Sequence, residues 1–178
     1  MAKNIVYVDE HDVVIGSGSK TDAALRGIRH RVARVFLVNA AGEILLQKRA
    51  LHLSSQPGKW DMSACGHVDA GESYRDAAVR ELAEEVGVTD VSLTSIGNRY
   101  YEEPRVGGGI RKRFNELYLG RYDGTVTPDY DEVTETRWVL LPELLQEIKN
   151  TPETFTIGLR AVLPVYLPFL EKLTQASN

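Results

Sequence analysis

A single cysteine, Cys65, is all the thiol this 178-residue chain contains. An internal disulfide is therefore excluded, and a reducing, cytoplasmic setting is expected. Long hydrophobic runs are missing as well. The most apolar stretch, residues 161–170, is too short to cross a bilayer and holds Pro164 and Pro168, so no membrane association is expected. The opening residues MAKNIVYVDEHDVV carry charges where a secretory leader needs an apolar core, and no leader is expected. Positive charge is not in surplus. Lys and Arg number 21 against 25 Asp and Glu, a net charge of -4, which speaks against a nucleic-acid partner. The one basic run, Arg111-Lys112-Arg113, reads as a solvated loop that steers phosphate at most. There is no repeat, low-complexity tract or linker. With ordinary charged (26%) and hydrophobic (43%) fractions, one domain is expected over residues 1–178, residues 1–28 forming a small N-terminal β extension.

The pattern of what is present alternates strands with helices. Residues 4–9 and 13–16 read as short strands about a polar turn. A helical piece follows from Thr21, whose hydroxyl is the expected cap, and Gly27 is its stop. RVARVFLV (31–38) and EILLQK (43–48) are the main sheet signals. Residues 49–61 lose periodicity and gain Ser, Pro and Gly, which marks a loop. Further strands are expected over 62–68, 91–101, 114–122 and 136–140, with a Gly-rich turn at 106–109. Pro142 suits the first turn of a helix, and residues 157–173 read as helical with kinks at the prolines. Together these elements predict an α/β (α+β) fold with a mixed sheet between helices. Trp60 and Trp138 read as packing residues, His30 as an edge-of-core histidine, and His11 and His52 as loop residues facing solvent.

One segment carries chemistry. GHVDAGESYRDAAVRELAEEVGV, residues 66–88, predicts a loop and then a helix capped by Ser73, favoured in its first turn by Asp76 and stopped at Gly87. Glu81, Glu84 and Glu85 stand at i, i+3 and i+4, so their carboxylates share one face and repel. Hard oxygen donors in that arrangement suit Mg²⁺ or Mn²⁺, ions that also bridge phosphate oxygens. Arg80 can reach back to Glu72 in a bidentate pair that braces the loop against the helix. A carbonyl at Gly66 offers one more oxygen ligand. Asp69 has no evident role.

Written out as Gly66, five residues, Glu72, seven residues, Arg80-Glu81-Leu82, one residue, Glu84-Glu85, one residue, Gly87-Val88, the segment resembles the complete signature of the Nudix hydrolases. The resemblance implies a Nudix-type αβα sandwich. It implies a divalent metal, Mg²⁺ or Mn²⁺, and hydrolysis of a pyrophosphate linkage in a nucleoside diphosphate joined to another moiety. Carried onto this chain, Glu81, Glu84, Glu85, Arg80 and Glu72 are the catalytic set, with Glu81, Glu85, Glu84 and Gly66 around the metal. His67 and Arg49 are the expected substrate contacts. Glu116 and Glu132 are candidates for an additional acid outside the segment. The partner so implied is a small-molecule diphosphate, nucleotide-derived, and a homodimer through the N-terminal strands is compatible with the chain.

A second resemblance competes. Ser63-Ala64-Cys65-Gly66-His67 followed by Gly71-Glu72-Ser73, with His30, Arg49, Pro57-Gly58-Lys59-Trp60 and Glu116, is similar to isopentenyl diphosphate isomerase, a Nudix-fold relative. It implies Cys65 and Glu116 as a proton-transfer pair and His30 and His67 on a metal. Three positions depart from that pattern, where Ala23, Phe114 and Phe155 replace a histidine, an acid and a tryptophan. A small buried hydrophobe is the plain reading of Cys65. A Nudix-fold nucleotide-binding module without turnover is the remaining alternative, disfavoured because a pure binder has no need of the full acidic set.

Overall fold

The computed structural model describes residues 4–104 and 109–175. The expected Gly-rich turn at 106–109 lies outside these residues except for Gly109. Along the chain, β1 (Ile5–Val8) and β2 (Val14–Gly18) form a hairpin, and α1 (Lys20–Arg26) follows. Ser19, rather than the expected Thr21, caps α1: its side chain accepts from the Asp22 N–H. Thr21 falls inside the helix, where its hydroxyl has no free N–H to cap. Gly27 ends the helix at φ 63°.

Two long strands come next, β3 (His30–Val38) and β4 (Glu43–Arg49). The loop beyond them delivers the short β5 (Trp60–Asp61) and β6 (Ala64–His67), where one strand was expected. Then come α2 (Tyr74–Val86), β7 (Leu93–Pro104), β8 (Ile110–Arg121), β9 (Val133–Leu140), α3 (Leu141–Asn150) and α4 (Ile157–Gln175). α4 runs through Pro164 and Pro168 as one helix. Arg111, Lys112 and Arg113 belong to β8, not to a loop, because β7 and β8 form a long hairpin that pairs Arg113 with Tyr101.

β3 is the axis of the sheet. It pairs in parallel with β8 from His30↔Arg113 to Val38↔Arg121, and antiparallel with β6 from Val32↔His67 to Val35↔Ala64. It meets β4 only at Val38↔Ile44, and β4 carries β9 on its other side. β3 and β4 therefore diverge. The buried Ser63 hydroxyl stitches the split, accepting from the Leu37 N–H at 2.8 Å and donating to the Leu45 carbonyl at 2.7 Å.

Alternation along the strands sorts the core into two layers. Ala33, Val35, Leu37, Leu45 and Ala64 pack on Ala77, Ala78, Leu82 and Val86 of α2. Phe36, Val38, Leu46, Leu117 and Leu119 face Leu144 of α3 and Leu159, Val162 and Tyr166 of α4. The result is a mixed sheet between α2 on one side and α3 with α4 on the other. A site that draws on α2 and on the strand ends must sit where β3 and β4 part.

Candidate active site

α2 is fixed at both ends. Ser73 and Asp76 form a reciprocal cap, each side chain accepting the other residue's backbone N–H at 3.2 Å. At the far end Gly87 takes φ 70° and donates to the Leu82 carbonyl. A Cβ on Gly87 would stand 2.7 Å from the Thr127 carbonyl oxygen, so glycine is needed there for conformation and for space. The chain at residues 127–132 closes over this end. The Thr127 and Asp129 N–H groups donate to the Val86 and Glu85 carbonyls, and the Glu132 carbonyl accepts from Ala50. That route brings Glu132 to the site.

Arg80 is a hub. Its Nε and Nη2 grip Glu72 Oε1 and Oε2 at 2.7 and 2.9 Å, the bidentate pair expected. Nη1 also donates to Glu81 at 2.6 Å and Glu84 at 2.9 Å, and Nη2 to the His67 carbonyl at 2.9 Å. Asp69, without a role in the sequence, stands 3.8 Å from Nη2. The Glu72 hydrogen bond, the largest influence, raises the Arg80 pKa against the cost of partial burial.

Glu85 is nearly sealed, 4% exposed. Its Oε2 accepts from Gln47 Nε2 at 2.6 Å and from the Cys65 N–H at 2.9 Å, so the carboxylate bridges β4 and β6. Neither bond uses Oε1. Burial first, and the neighbouring Glu81 charge second, push the Glu85 carboxyl well above its usual range. Burial likewise raises Glu81, against the pull of Arg80. A Cβ on Gly66 would collide with the Glu81 carboxylate, so the absence of a side chain in β6 is what lets that group reach the strand.

A cavity of about 660 Å³ collects these groups. Glu81, Glu84, Glu85, Arg80, Gly66, His67, Arg49, Glu132 and Cys65 all line it, whereas Glu72 braces it from behind. Glu116 does not line it. The register pairs Ala33 with both Gly66 and Glu116, and Arg34 with Cys65 and Leu117. Glu116 thus lies on the α2 face of the sheet, hydrogen-bonded to Ser95, and Cys65 lies on the opposite face. Phe114 shares the Glu116 face. Burial pushes the Cys65 thiol up to about 12, despite Arg34 beside it. His30, buried, stacks on His67 with ring centroids 5.2 Å apart. Burial lowers both, His30 to about 4, holding its imidazole neutral. Trp60 is packed between Lys48 and Arg137, 5.4 and 4.3 Å from its ring, away from the cavity.

Among the described residues, no three His, Cys, Asp or Glu side chains converge closely enough to form a ready metal cage. Arg80 spans Glu81 and Glu84 instead. The donor set nevertheless fits a divalent cation. Two carboxylates one helical turn apart, Glu85 buried and Glu81 half-buried, both raised by desolvation, with one Glu85 oxygen outside its hydrogen bonds, suit a hard ion.

Among the charged cavity residues, Arg34, Asp61 and Lys20 had no role in the sequence reading, and Arg113 was read there only as part of a solvated basic run. Gln47, which orients Glu85, was missed too. Arg34 and Gln47 had left a trace, as polar side chains inside the otherwise apolar RVARVF and EILLQK.

A NUDIX domain family model matches residues 28–158. The chain belongs to the Nudix family. Among its relatives, an isopentenyl-diphosphate Delta-isomerase from Burkholderia multivorans is 35% identical over 93% of this chain and 96% of its own. An uncharacterized Nudix hydrolase, PA4841 of Pseudomonas aeruginosa, is 35% identical over 85% of this chain and 86% of its own. The crystal structure of DR0079 from Deinococcus radiodurans superposes with a TM-score of 0.75 at 26% identity, covering 92% of this chain and 99% of that one. The Nudix membership and the αβα sandwich with a mixed sheet are as the sequence led one to expect. Relatives bearing isomerase and hydrolase names both align along nearly the whole chain, so the family alone does not decide the reaction.

Proposed function

We propose that this protein hydrolyses a phosphoric anhydride in a small-molecule diphosphate, with nucleoside diphosphate derivatives as the substrate class that the resemblance implies. The observation that supports it most is the pair of the half-buried Glu81 and the buried Glu85, one turn apart on α2 and lining the cavity, whose charge needs a cation. Glu81 and Glu85, with Glu84 and the Gly66 carbonyl, would hold Mg²⁺ or Mn²⁺, which when bound screens the non-bridging oxygens of a diphosphate. The chain's own residues do the rest. Gln47 and the Cys65 N–H hold Glu85 in one rotamer, and Arg80 keeps the helix in register with the loop through Glu72 and the His67 carbonyl. Glu132, exposed at the mouth yet near enough for its charge to act on Glu81, is the candidate acceptor of a proton from the attacking water.

The isomerase reading rests on the resemblance around Ser63-Ala64-Cys65-Gly66-His67 and on the names of aligned relatives. Against it, Cys65 and Glu116 occupy opposite faces of the sheet, so they cannot act on the two faces of one substrate in this cavity. The thiol raised to about 12 is also a poor proton donor near neutrality. The test is a panel of nucleoside di- and triphosphates, nucleotide sugars, dinucleotides and prenyl diphosphates with Mg²⁺ and with Mn²⁺. Metal-dependent phosphate, pyrophosphate or nucleotide release is expected. Conversion of isopentenyl diphosphate to its allylic isomer without hydrolysis would reverse the assignment.

A further inference from the structure

The cavity has two unlike walls. α2 supplies most of the acids, and Lys20 of α1, Arg34 of β3, and Arg111 and Arg113 of β8 supply a separate set of cations. The parallel register that sets His30 opposite Arg113 puts Arg111 and Arg113 on the face of β8 that Arg34 and His30 share on β3.

This cationic wall is short of counter-charge. Among the described residues its ion pairs run to one acid, the buried Glu103, at 3.3 Å from Arg113 Nη1 and 3.9 Å from Arg34 Nη2. Asp61 is the next acid, and its carboxylate accepts from the Thr156 hydroxyl and the Met62 N–H, both at 2.9 Å. Arg113 Nε, shielded from water, has no hydrogen-bond partner. Arg34 is 2% exposed, and a Cβ on Gly158 would stand 2.7 Å from its Nη1. Its guanidinium therefore sits against the first turn of the 19-residue α4, whose positive end adds charge of the same sign. Burial lowers Arg113 to about 10, which leaves it charged at neutral pH. Glu103 and Asp61 are the carboxylates that act on Arg34, and Arg113 Nε still lacks a partner; a dianion would balance the guanidinium charge gathered with them.

The same cavity lacks the furniture for a greasy ligand. Among the described residues no Phe, Tyr or Trp lines it, and its larger apolar side chains are Ile5, Val32 and Leu53. At about 660 Å³ it has room for much more than a diphosphate. Whatever is joined to the diphosphate is accordingly polar and anionic.

We propose that the substrate carries a phosphate monoester of its own at the end remote from the scissile diphosphate, and that Arg34, Arg111, Arg113 and Lys20 hold that phosphate. Guanidinium groups suit it because their planar donors match phosphate oxygens. Arg34 and Arg113 are the fixed members. Arg111, whose Nη2 reaches the Ser55 hydroxyl at 3.3 Å, and the exposed Lys20 are the adjustable ones. The placement of the diphosphate itself rests on the hydrolase reading, whereas the phosphate subsite rests on the cationic wall alone.

The experiment separates the two. Isothermal titration in EDTA compares adenosine 3′,5′-bisphosphate with AMP, probes that differ by one phosphate. Wild type should bind the bisphosphate at least tenfold more tightly, and Arg111→Gln and Lys20→Gln, each with an unchanged circular dichroism spectrum, should each lower that ratio at least threefold. Equal affinities in wild type, or a ratio that survives both substitutions, would overturn the subsite. With metal present, kcat/KM should be at least tenfold higher for 3′-phosphorylated ADP than for ADP, and equal values would count against the proposal. Because the titration needs neither metal nor turnover, a failure of the hydrolase reading leaves it decisive.

Discussion

At the scale of single residues, Glu85 holds the site's largest electrostatic debt. It is buried, lies next to Glu81, and has two neutral N–H donors on one oxygen. A carboxyl whose folded pKa exceeds its unfolded value binds more protons in the native state between the two pKa values. Stability of the metal-free protein therefore falls as pH rises from the unfolded value through the raised one. Denaturant titrations in EDTA should show that fall as pH rises above about 4.5, with Glu81 contributing in the same direction. Glu85→Gln should flatten it and raise metal-free stability at pH 7 by roughly 1–3 kcal/mol, since it removes an unpaired buried charge while an amide oxygen still accepts both bonds. A mutant less stable than wild type at pH 7 would contradict the balance argued for this site. Much of this was legible beforehand, because i, i+3 and i+4 spacing states which side chains share a face. The identity of the orienting group was not. Gln47 lies 38 positions from Glu85, and only the packing of α2 across β4 and β6 joins them.

At the scale of elements, the site depends on how closely α2 approaches β6. Gly66→Ala would place a methyl group where the Glu81 carboxylate stands. Metal-dependent turnover should fall on the order of a hundredfold through misplacement of that group, with the far-UV circular dichroism unaltered. Wild-type turnover would show that the close approach is immaterial. Ser73→Ala tests the other support. Loss of the cap should cost about 1 kcal/mol in urea denaturation. Helix ends of this kind are readable because their determinants are local, as the Ser73, Asp76 and Gly87 signals show. α1 illustrates the limit: Ser19 and Thr21 are both competent caps, and the position that wins is settled by the hairpin feeding the helix. β8 illustrates a larger one. Arg111-Lys112-Arg113 looks like a solvated loop in isolation, and pairing with β3 and β7 turns it into a strand with Arg113 half-buried among charges.

Over the whole molecule, the divergence of β3 from β4 makes the cavity, and the helices decide its chemistry. The acidic wall comes from one continuous segment, which is why the sequence displayed it in full. The cationic wall is assembled from α1, β3 and β8, so no window of sequence contains it, and the basic run at 111–113 and the polar Arg34 inside a buried strand were its only signs. The Nudix-fold sandwich itself followed from strand and helix signals together with that segment. Cys65 and Glu116 show what register adds, since their residue types suit a proton-transfer pair and their faces forbid it. The central claim, that the carboxylates of α2 serve metal-dependent hydrolysis of a diphosphate, is tested most directly by the Mn²⁺-dependent rate of phosphate release from the best substrate of the panel. Wild type and folded Glu85→Gln are compared at saturating metal. A loss of on the order of a hundredfold or more is predicted; a rate within twofold of wild type would contradict it.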